Sequence, residues 1–579
     1  MGVPGYFKTL IRENPELLYF NSKEENEYLF MDYNNIIHTA YQEYLKKMEG
    51  KLDKKTKSVI EKEIIKYVIE KTIYIVTKIV KPSKLLFIAM DGTPPRGKME
   101  QQRLRRYKSV LDTSIKESFK KKHKLDSKLY FDSNNISPGT LFMQRLSKEL
   151  EKTIKAKKFN LNKKFKVILS DTSVVGEGEH KIIPYIKKHI KGKSHICIYG
   201  DDADLIFLSM TLLDQDHNIK IMKSQSLEDT DFEEIGLAYL DVSKACDMFF
   251  KFIGVEHAEK IRILYDYIFI MILFGDDFVK KLPGLNIRWH HDIILKLYKN
   301  QFHKNKKHLI KLKHKKFSVN KKFVLAFLID LSKMENKLLK EGQKKLERDC
   351  QKEYVNRGDL EGYKLDISIQ ENSLFCQKEN MFYKEYKDEF NIINYFEDKH
   401  IWKKKYYNYF FPIKNKNYNN ERSKICMTYF KSWKFTFEYY MNGIPPSWSF
   451  YYPYRVAPFI SDLVTNLKFP NLNINTIKFD KGKPYTPLQQ LMIIMPPQMK
   501  KSLPKECVKI MSNKKLKKNF PTSFKLDALA GLKYIYAEPL LDEINEKEIL
   551  DELTKATNKL TNAEKNRNTL NEEKEFDFK

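Results

Sequence analysis

Four apolar runs in the first third of the chain each end in a carboxylate. They are EYLFMD (27–32), KLLFIAMD (84–91), FKVILSD (165–171) and HICIYGDD (195–202). Segments of helical period separate them. Strands alternating with helices specify an α/β fold, here a parallel or mostly parallel central sheet flanked by helices. Ligands of such sheets bind beyond the carboxyl ends of the strands. The pattern therefore delivers Asp32, Asp91, Asp202 and Asp204 to the edge where chemistry is expected. The turn VVGEGEHKII (174–183) follows a further strand and adds Glu177 and Glu179, and FGDDF (274–278) adds Asp277 after an apolar helix.

Read singly, each of these acids is an ordinary turn or helix-cap residue. Repetition at separate strand ends gives them another meaning. Seven carboxylates on one edge cannot all stay ionised without compensation, because like charges force protonation. Divalent cations supply that compensation. All-oxygen ligands suit Mg²⁺ or Mn²⁺, and no Cys/His cluster competes. Two such ions roughly 4 Å apart activate a water and stabilise the departing oxygen of a phosphodiester.

The positive charge is distributed in an equally telling way. Lys and Arg number 105 against 75 Asp and Glu, a net charge of +30, which favours a polyanionic partner. Only 13 of the 105 are Arg, and four of those, Arg96, Arg103, Arg105 and Arg106, fall within eleven residues. A Lys-biased chain that places Arg here calls for the bidentate guanidinium fork. After Pro94-Pro95 the segment reads as one long helix. Lys98, Gln102, Arg105 and Arg106 share one face of it, suited to a terminal phosphate. Arg103 lies off that face and is expected to meet the nucleic-acid backbone or solvent.

The organisation divides as follows. Residues 1–346 form the acidic core, and 347–400 are polar and patternless, a linker or flexible insertion. Residues 401–545 form a second ordered region rich in Tyr, Phe and Trp. Residues 546–579 are charged, with a frayed or disordered tail expected. The six Cys lie far apart and read as free thiols of a reducing compartment. The longest apolar run, YIFIMILF (267–274), is too short for a membrane span and reads as a buried helix. With no signal-peptide pattern at MGVPGYFKTL, the expectation is an intracellular protein, cytoplasmic rather than nuclear.

On these residues the sequence resembles the XRN family of 5′→3′ exoribonucleases. The matching blocks run in family order: MGVPGYF, MDYNNIIH (31–38), MDGTPPRGKMEQQRLRRYKS (90–109), FDSNNISPGTLFM (131–143), GEGEHKI (176–182), YGDDADLIFL (199–208), FGDDFVKKLPGLNIR (274–288) and PSWSFYYPYRVAPFISDL (446–463). The resemblance implies a nuclease core of the PIN/FEN type, completed by the aromatic-rich region. It assigns the seven acids to metal binding and catalysis. It assigns Lys98, Gln102, Arg105 and Arg106 to a pocket for a 5′-monophosphate, and His38 and Trp448 to base stacking. It also implies that Gly2-Val3-Pro4 packs inside the enzyme. The expected substrate is single-stranded RNA with a 5′-monophosphate, and the expected state is a monomer without membrane contact. A flap-endonuclease-like DNA nuclease and a non-catalytic RNA-binding scaffold are the alternatives.

The sequence departs from the family pattern at several positions. Asp276 stands where Asn is usual, Asp201 where an apolar residue is usual, Asn35 where Gly is usual, and Phe450 where a second Trp is usual.

Overall fold

The computed structural model describes residues 2–578 apart from 21–24, 49–50, 53–54, 126–129, 160–164, 216, 225–236, 256–259, 314–315, 357, 391–401, 414–417 and 470–471. Its centre is an eight-stranded sheet of β1 (Leu18–Tyr19), β2 (Tyr28–Asp32), β3 (Leu85–Ala89), β4 (Phe165–Ser170), β5 (His195–Tyr199), β6 (Asn218–Ser224), β7 (Leu237–Asp241) and β12 (Lys574–Phe578). Two small hairpins complete the strands, β8–β9 (Ile310–Lys313, Lys316–Val319) and β10–β11 (Lys525–Leu526, Pro539–Leu540). The sheet order is β1-β7-β6-β5-β2-β3-β4-β12. All pairs from β6 across β5, β2 and β3 to β4 are parallel, and the outer strands β1, β7 and β12 are antiparallel. The four sequence-predicted strands are the neighbours β5, β2, β3 and β4, so their carboxyl ends share one edge. Helices cover both faces, as parallel strands apolar on both sides require.

The second region is not a separate body. Its helix Tyr418–Asn442 buries Phe430, Trp433, Phe437 and Tyr440 in the same apolar cluster as Phe30, Ile198 and Phe269 of the core. Trp433 stacks on Phe269 at 4.1 Å, and its indole N–H donates to the Phe269 carbonyl at 2.7 Å. The run 267–274 is buried in this cluster, as expected.

Four expectations need correction. Residues 347–390 are not a patternless linker. Cys350 and Cys376 are joined by a disulfide, so not all six thiols are free; the other four are buried. Within the bridged segment, the helix Gly362–Asn372 docks on the long helix Arg96–Lys122, where Lys122 and His123 meet Asp366 at 2.9 Å. Patterning missed this because the helix itself is anchored by polar residues, while the apolar anchors Phe375 and Tyr386, packed with Ile115 of the long helix, lie outside it. Residues 391–400 of the expected linker lie outside the described residues.

The tail is ordered as well. Helix Glu546–Ala556 packs Ile549 and Leu553 into a third apolar cluster, and β12 pairs with β4 along Lys574↔Leu169 to Phe578↔Phe165. Its high charge is spent on ion pairs, Glu546 with Arg96 at 2.7 Å and Lys574 with Glu151 at 2.9 Å. Finally, Arg103 does not face solvent. It is buried, donates to the Asp542 carbonyl at 3.0 Å and lies over the Tyr107 ring.

Candidate active site

The site forms where β2, β3 and β5 end. Asp32 closes β2, Asp91 follows β3, and Asp202 and Asp204 follow β5 at the start of helix Asp204–Met210. Glu177 caps the helix Gly178–His189, whose first turn carries Glu179. Gly178 stands between them because a side chain would not fit. A Cβ there would lie 2.7 Å from Asp32 Oδ1 and 2.8 Å from the Ala89 carbonyl. The absence of that carbon lets the helix start settle on the strand ends, and the Gly178 N–H donates to Asp91 Oδ1 at 2.8 Å.

Oxygen atoms of Asp32, Glu179 and Asp202 lie within 4.8 Å of one another. One buried oxygen of Glu179, Oε2, has no hydrogen-bond partner. Burial pushes both Asp32 and Glu179 well above the usual carboxylate range. Asp91 and Asp202 add to the effect on Asp32, and Asp204 and Asp202 add to the effect on Glu179. Burial likewise raises Glu177 to about 7 and Asp204 to about 6. Crowded, buried oxygens with an unpartnered acceptor are a donor set that fits a hard divalent cation.

Lys98 stands among these acids. Its ammonium pairs with Glu177 and, at 2.6 Å, with Asp277. Burial opposes its charge, but the two carboxylates outweigh burial and hold the ammonium well above its ordinary value. Burial also works against ionisation of Asp277, yet Lys98 holds it near 2. Gln101 Nε2 donates to the other Asp277 oxygen at 2.8 Å. All seven predicted acids are thus gathered at one edge.

The face of the Arg96–Lys122 helix proves to be graded. Lys98 reaches the acids, Gln102 is buried with its oxygen accepting from Gln490 at 2.9 Å, and Arg105 is exposed. Arg106 is buried, donating to the Asn134 carbonyl and side-chain oxygen at 3.1 and 2.9 Å. Burial, then Arg105, lowers Arg106 to about 9. His38 lies on helix Tyr33–Lys47, where burial and then the cations of Arg105 and Arg106 lower it to about 4. Trp448 is buried at the start of the Arg96 helix, where its carbonyl accepts the Arg96 N–H at 2.8 Å. Phe450 packs with Phe435 and Phe479.

The N-terminal segment enters the site. Val3 is fully buried, and a Cβ on Gly2, at φ +49°, would lie 2.5 Å from the Asp204 amide nitrogen.

Residues 1–225 match the family model described as the XRN 5'-3' exonuclease N-terminus. Residues 258–380 and 362–576 match the one described as the Xrn1 helical domain. The chain belongs to the XRN exonuclease family. Relatives include "5'-3' exoribonuclease 1" of Homo sapiens, 28% identical over 99% of this chain and 35% of the relative. The "5'-3' exoribonuclease 2 homolog" of Drosophila melanogaster is 28% identical over 98% and 72%, and "5'-3' exoribonuclease 1" of Saccharomyces cerevisiae is 26% identical over 100% and 45%. The chain thus spans about a third of the human relative's length and under half of the yeast relative's.

Two departures from the XRN pattern answer one another. Asn35 Nδ2 donates to Asp201 Oδ2 at 2.8 Å, and the Ser224 N–H donates to Asp201 Oδ1 at 2.8 Å. The pair ties the His38 helix to the loop that carries Asp202. A third departure is conservative in shape. Asp276 Oδ1 accepts the N–H groups of Phe278 and Val279 at 2.8 and 2.7 Å, bonds that an Asn oxygen makes equally well.

Sequence reasoning missed Asn34, whose Nδ2 donates to Asp91 Oδ2 at 2.8 Å, and the pair Tyr439 and Tyr440. The aromatic richness of 429–454 was the available signal, but it does not say which ring faces the acids.

Two outcomes follow from this geometry. A double-mutant cycle of Asn35→Ala and Asp201→Ala gives a coupling of about 1 kcal/mol in unfolding free energy; strictly additive losses contradict it. Cation binding must displace the protons that burial favours on Asp32 and Glu179 as well as on Glu177 and Asp204. Divalent-cation binding, read with Mn²⁺ as the probe, therefore tightens as pH rises from about 5 through at least about 7.5 and releases protons. Calorimetry in buffers of different ionisation enthalpy measures both, and a pH-independent Kd contradicts it.

Proposed function

We propose that this chain is a processive 5′→3′ exoribonuclease that takes single-stranded RNA bearing a 5′-monophosphate and releases nucleoside monophosphates, with Mg²⁺ or Mn²⁺ as cofactor. The observation that carries this reading is the convergence of seven carboxylates directly beside the cationic face of one helix. Membership of the XRN family, and the names of its relatives, agree with it.

Asp32, Glu179 and Asp202 form one group of oxygens able to hold a cation, and Asp91, Glu177, Asp204 and Asp277 surround it. When bound, two divalent ions supply the charge that activates water and stabilises the departing 3′-oxygen. The residues of the chain do the rest. Arg105, exposed at the mouth, meets the incoming terminal phosphate, and Arg106 and Gln102 form the buried wall behind it. With divalent cations held by the acids, Lys98 would no longer be needed by Glu177 and Asp277, and its ammonium would be placed to meet a phosphate oxygen. His38 is held neutral by burial and its cationic neighbours, so its ring offers a stacking surface without a charge of its own. Stacking is worth roughly 1–3 kcal/mol per base and tolerates any sequence, as processive degradation demands. The same basic exterior attracts the strand in a salt-sensitive way.

The test is digestion of labelled strands by purified protein in Mg²⁺. RNA with a 5′-monophosphate is degraded to mononucleotides, while 5′-triphosphorylated RNA and the matching DNA strand are degraded at least about tenfold more slowly. EDTA abolishes turnover. Equal rates on mono- and triphosphorylated RNA overturn the end selection, DNA preferred over RNA supports the flap-nuclease alternative, and binding without turnover supports the scaffold.

A further inference from the structure

The aromatic helix Tyr418–Asn442 does more than fill the core. Successive residues on one of its faces reach the elements that carry the acids. Tyr429 and Ser432 donate to the carbonyls of Lys280 and Phe278, at 3.1 and 2.6 Å, on the loop that bears Asp277. Trp433 holds the helix Lys260–Met271 that precedes this loop. The last turn then meets helix Gly178–His189, home of Glu179. The Tyr439 ring lies parallel to His180 at 3.6 Å, and Lys187 donates to the Met441 carbonyl at 2.7 Å. Gly443, at φ +69°, ends the helix against Pro184, where a Cβ would come within 2.6 Å of the proline Cδ. This docking fixes where the last-turn hydroxyls point. Tyr440, fully buried, donates to Asp204 Oδ1 at 2.6 Å, and its oxygen lies 3.3 Å from Asp276 Oδ2. Tyr439 donates to Glu177 Oε2 over a longer 3.4 Å.

We infer that Tyr440 is a positioning residue, a hydroxyl donor supplied by the second region that fixes the Asp204 carboxylate for cation binding, with Tyr439 acting more weakly on Glu177. The Asp204 carboxylate is held from two sides: the Gly2 backbone packs against it, and the Tyr440 phenol fixes its Oδ1. A partner hydrogen-bonded behind a ligand sets that ligand's orientation, and its loss typically costs 10–100-fold in metal affinity or activity. The aromatic region therefore completes the site electrostatically as well as sterically. The inference rests on the proposed metal-dependent nuclease reading.

The test compares the wild-type chain with Tyr440→Phe and Tyr439→Phe, which keep the rings and remove only the hydroxyls. Mn²⁺ binding is read directly by calorimetry or by the loss of free-ion EPR signal, with circular dichroism and thermal midpoint as checks of fold. The expected result is a Tyr440→Phe variant with a wild-type spectrum whose Mn²⁺ affinity is lower by about tenfold. Its kcat on monophosphorylated RNA falls in parallel, its KM for RNA is unchanged, and Tyr439→Phe shifts less. Wild-type Mn²⁺ affinity in folded Tyr440→Phe overturns the inference. If Tyr440→Phe does not fold, Tyr439→Phe decides through the same measurement, an unchanged affinity counting against the clamp. A wild type that binds no Mn²⁺ overturns the metal-dependent reading itself, which the comparison among variants leaves separate.

Discussion

The structure depends on the mutual repulsion of carboxylates that the fold brings together and removes from water. Each parallel strand delivers an acid to the same edge, and at the close spacing seen for Asp32, Glu179 and Asp202 the charges cannot coexist unaided in a buried setting. The surrounding devices are responses to this fact. Lys98 is inserted between Glu177 and Asp277, backbone N–H groups point at Asp91 and Asp276, and phenol hydroxyls meet Asp204 and Glu177. Compensation is incomplete: burial and neighbouring charge still drive Asp32, Glu179 and Asp276 well above the usual carboxylate range.

Opposite the acids, the same helix that lends Lys98 grades its cations from buried to exposed. Arg96 and Arg103 are structural. The first is clamped between Glu100 and Glu546, and the second sits beneath the chain near Asp542. Arg106 is buried against Asn134, and of the four arginines on this helix Arg105 is the exposed one. Sparse arginine in a lysine-rich chain thus serves two purposes, joining the tail to the core and shaping one end of the site, while lysine provides the diffuse positive exterior.

Much of this was legible in the sequence. Apolar runs ending in acids give the strand order its meaning, and Pro94-Pro95 marks the start of the long polar helix Arg96–Lys122. The parts that were not legible share a physical cause. Arg103 was assigned outward because charge usually means solvent, yet the chain at Asp542 folds over it. In 347–390 and 546–578 the few apolar anchors, Phe375, Tyr386, Ile549 and Leu553, are outnumbered by charge, and a disulfide, ion pairs and strand pairing that only the tertiary fold reveals complete the ordering. Asn35 and Asp201 look like two unrelated departures until the structure places them in one hydrogen bond. Tyr440 is one of many aromatics in its stretch, and its role depends on a helix end whose docking no local pattern encodes.

The central claim is that the buried acids are a cation site and not a set of neutralised core carboxyls. Crystals grown with Mn²⁺ test it most directly through anomalous scattering at the manganese edge. Strong anomalous peaks coordinated by Asp32, Glu179 and Asp202 are expected, with Lys98 withdrawn from Glu177 and Asp277. Manganese found only at surface carboxylates, with Lys98 still seated between its two partners at saturating ion, would contradict it.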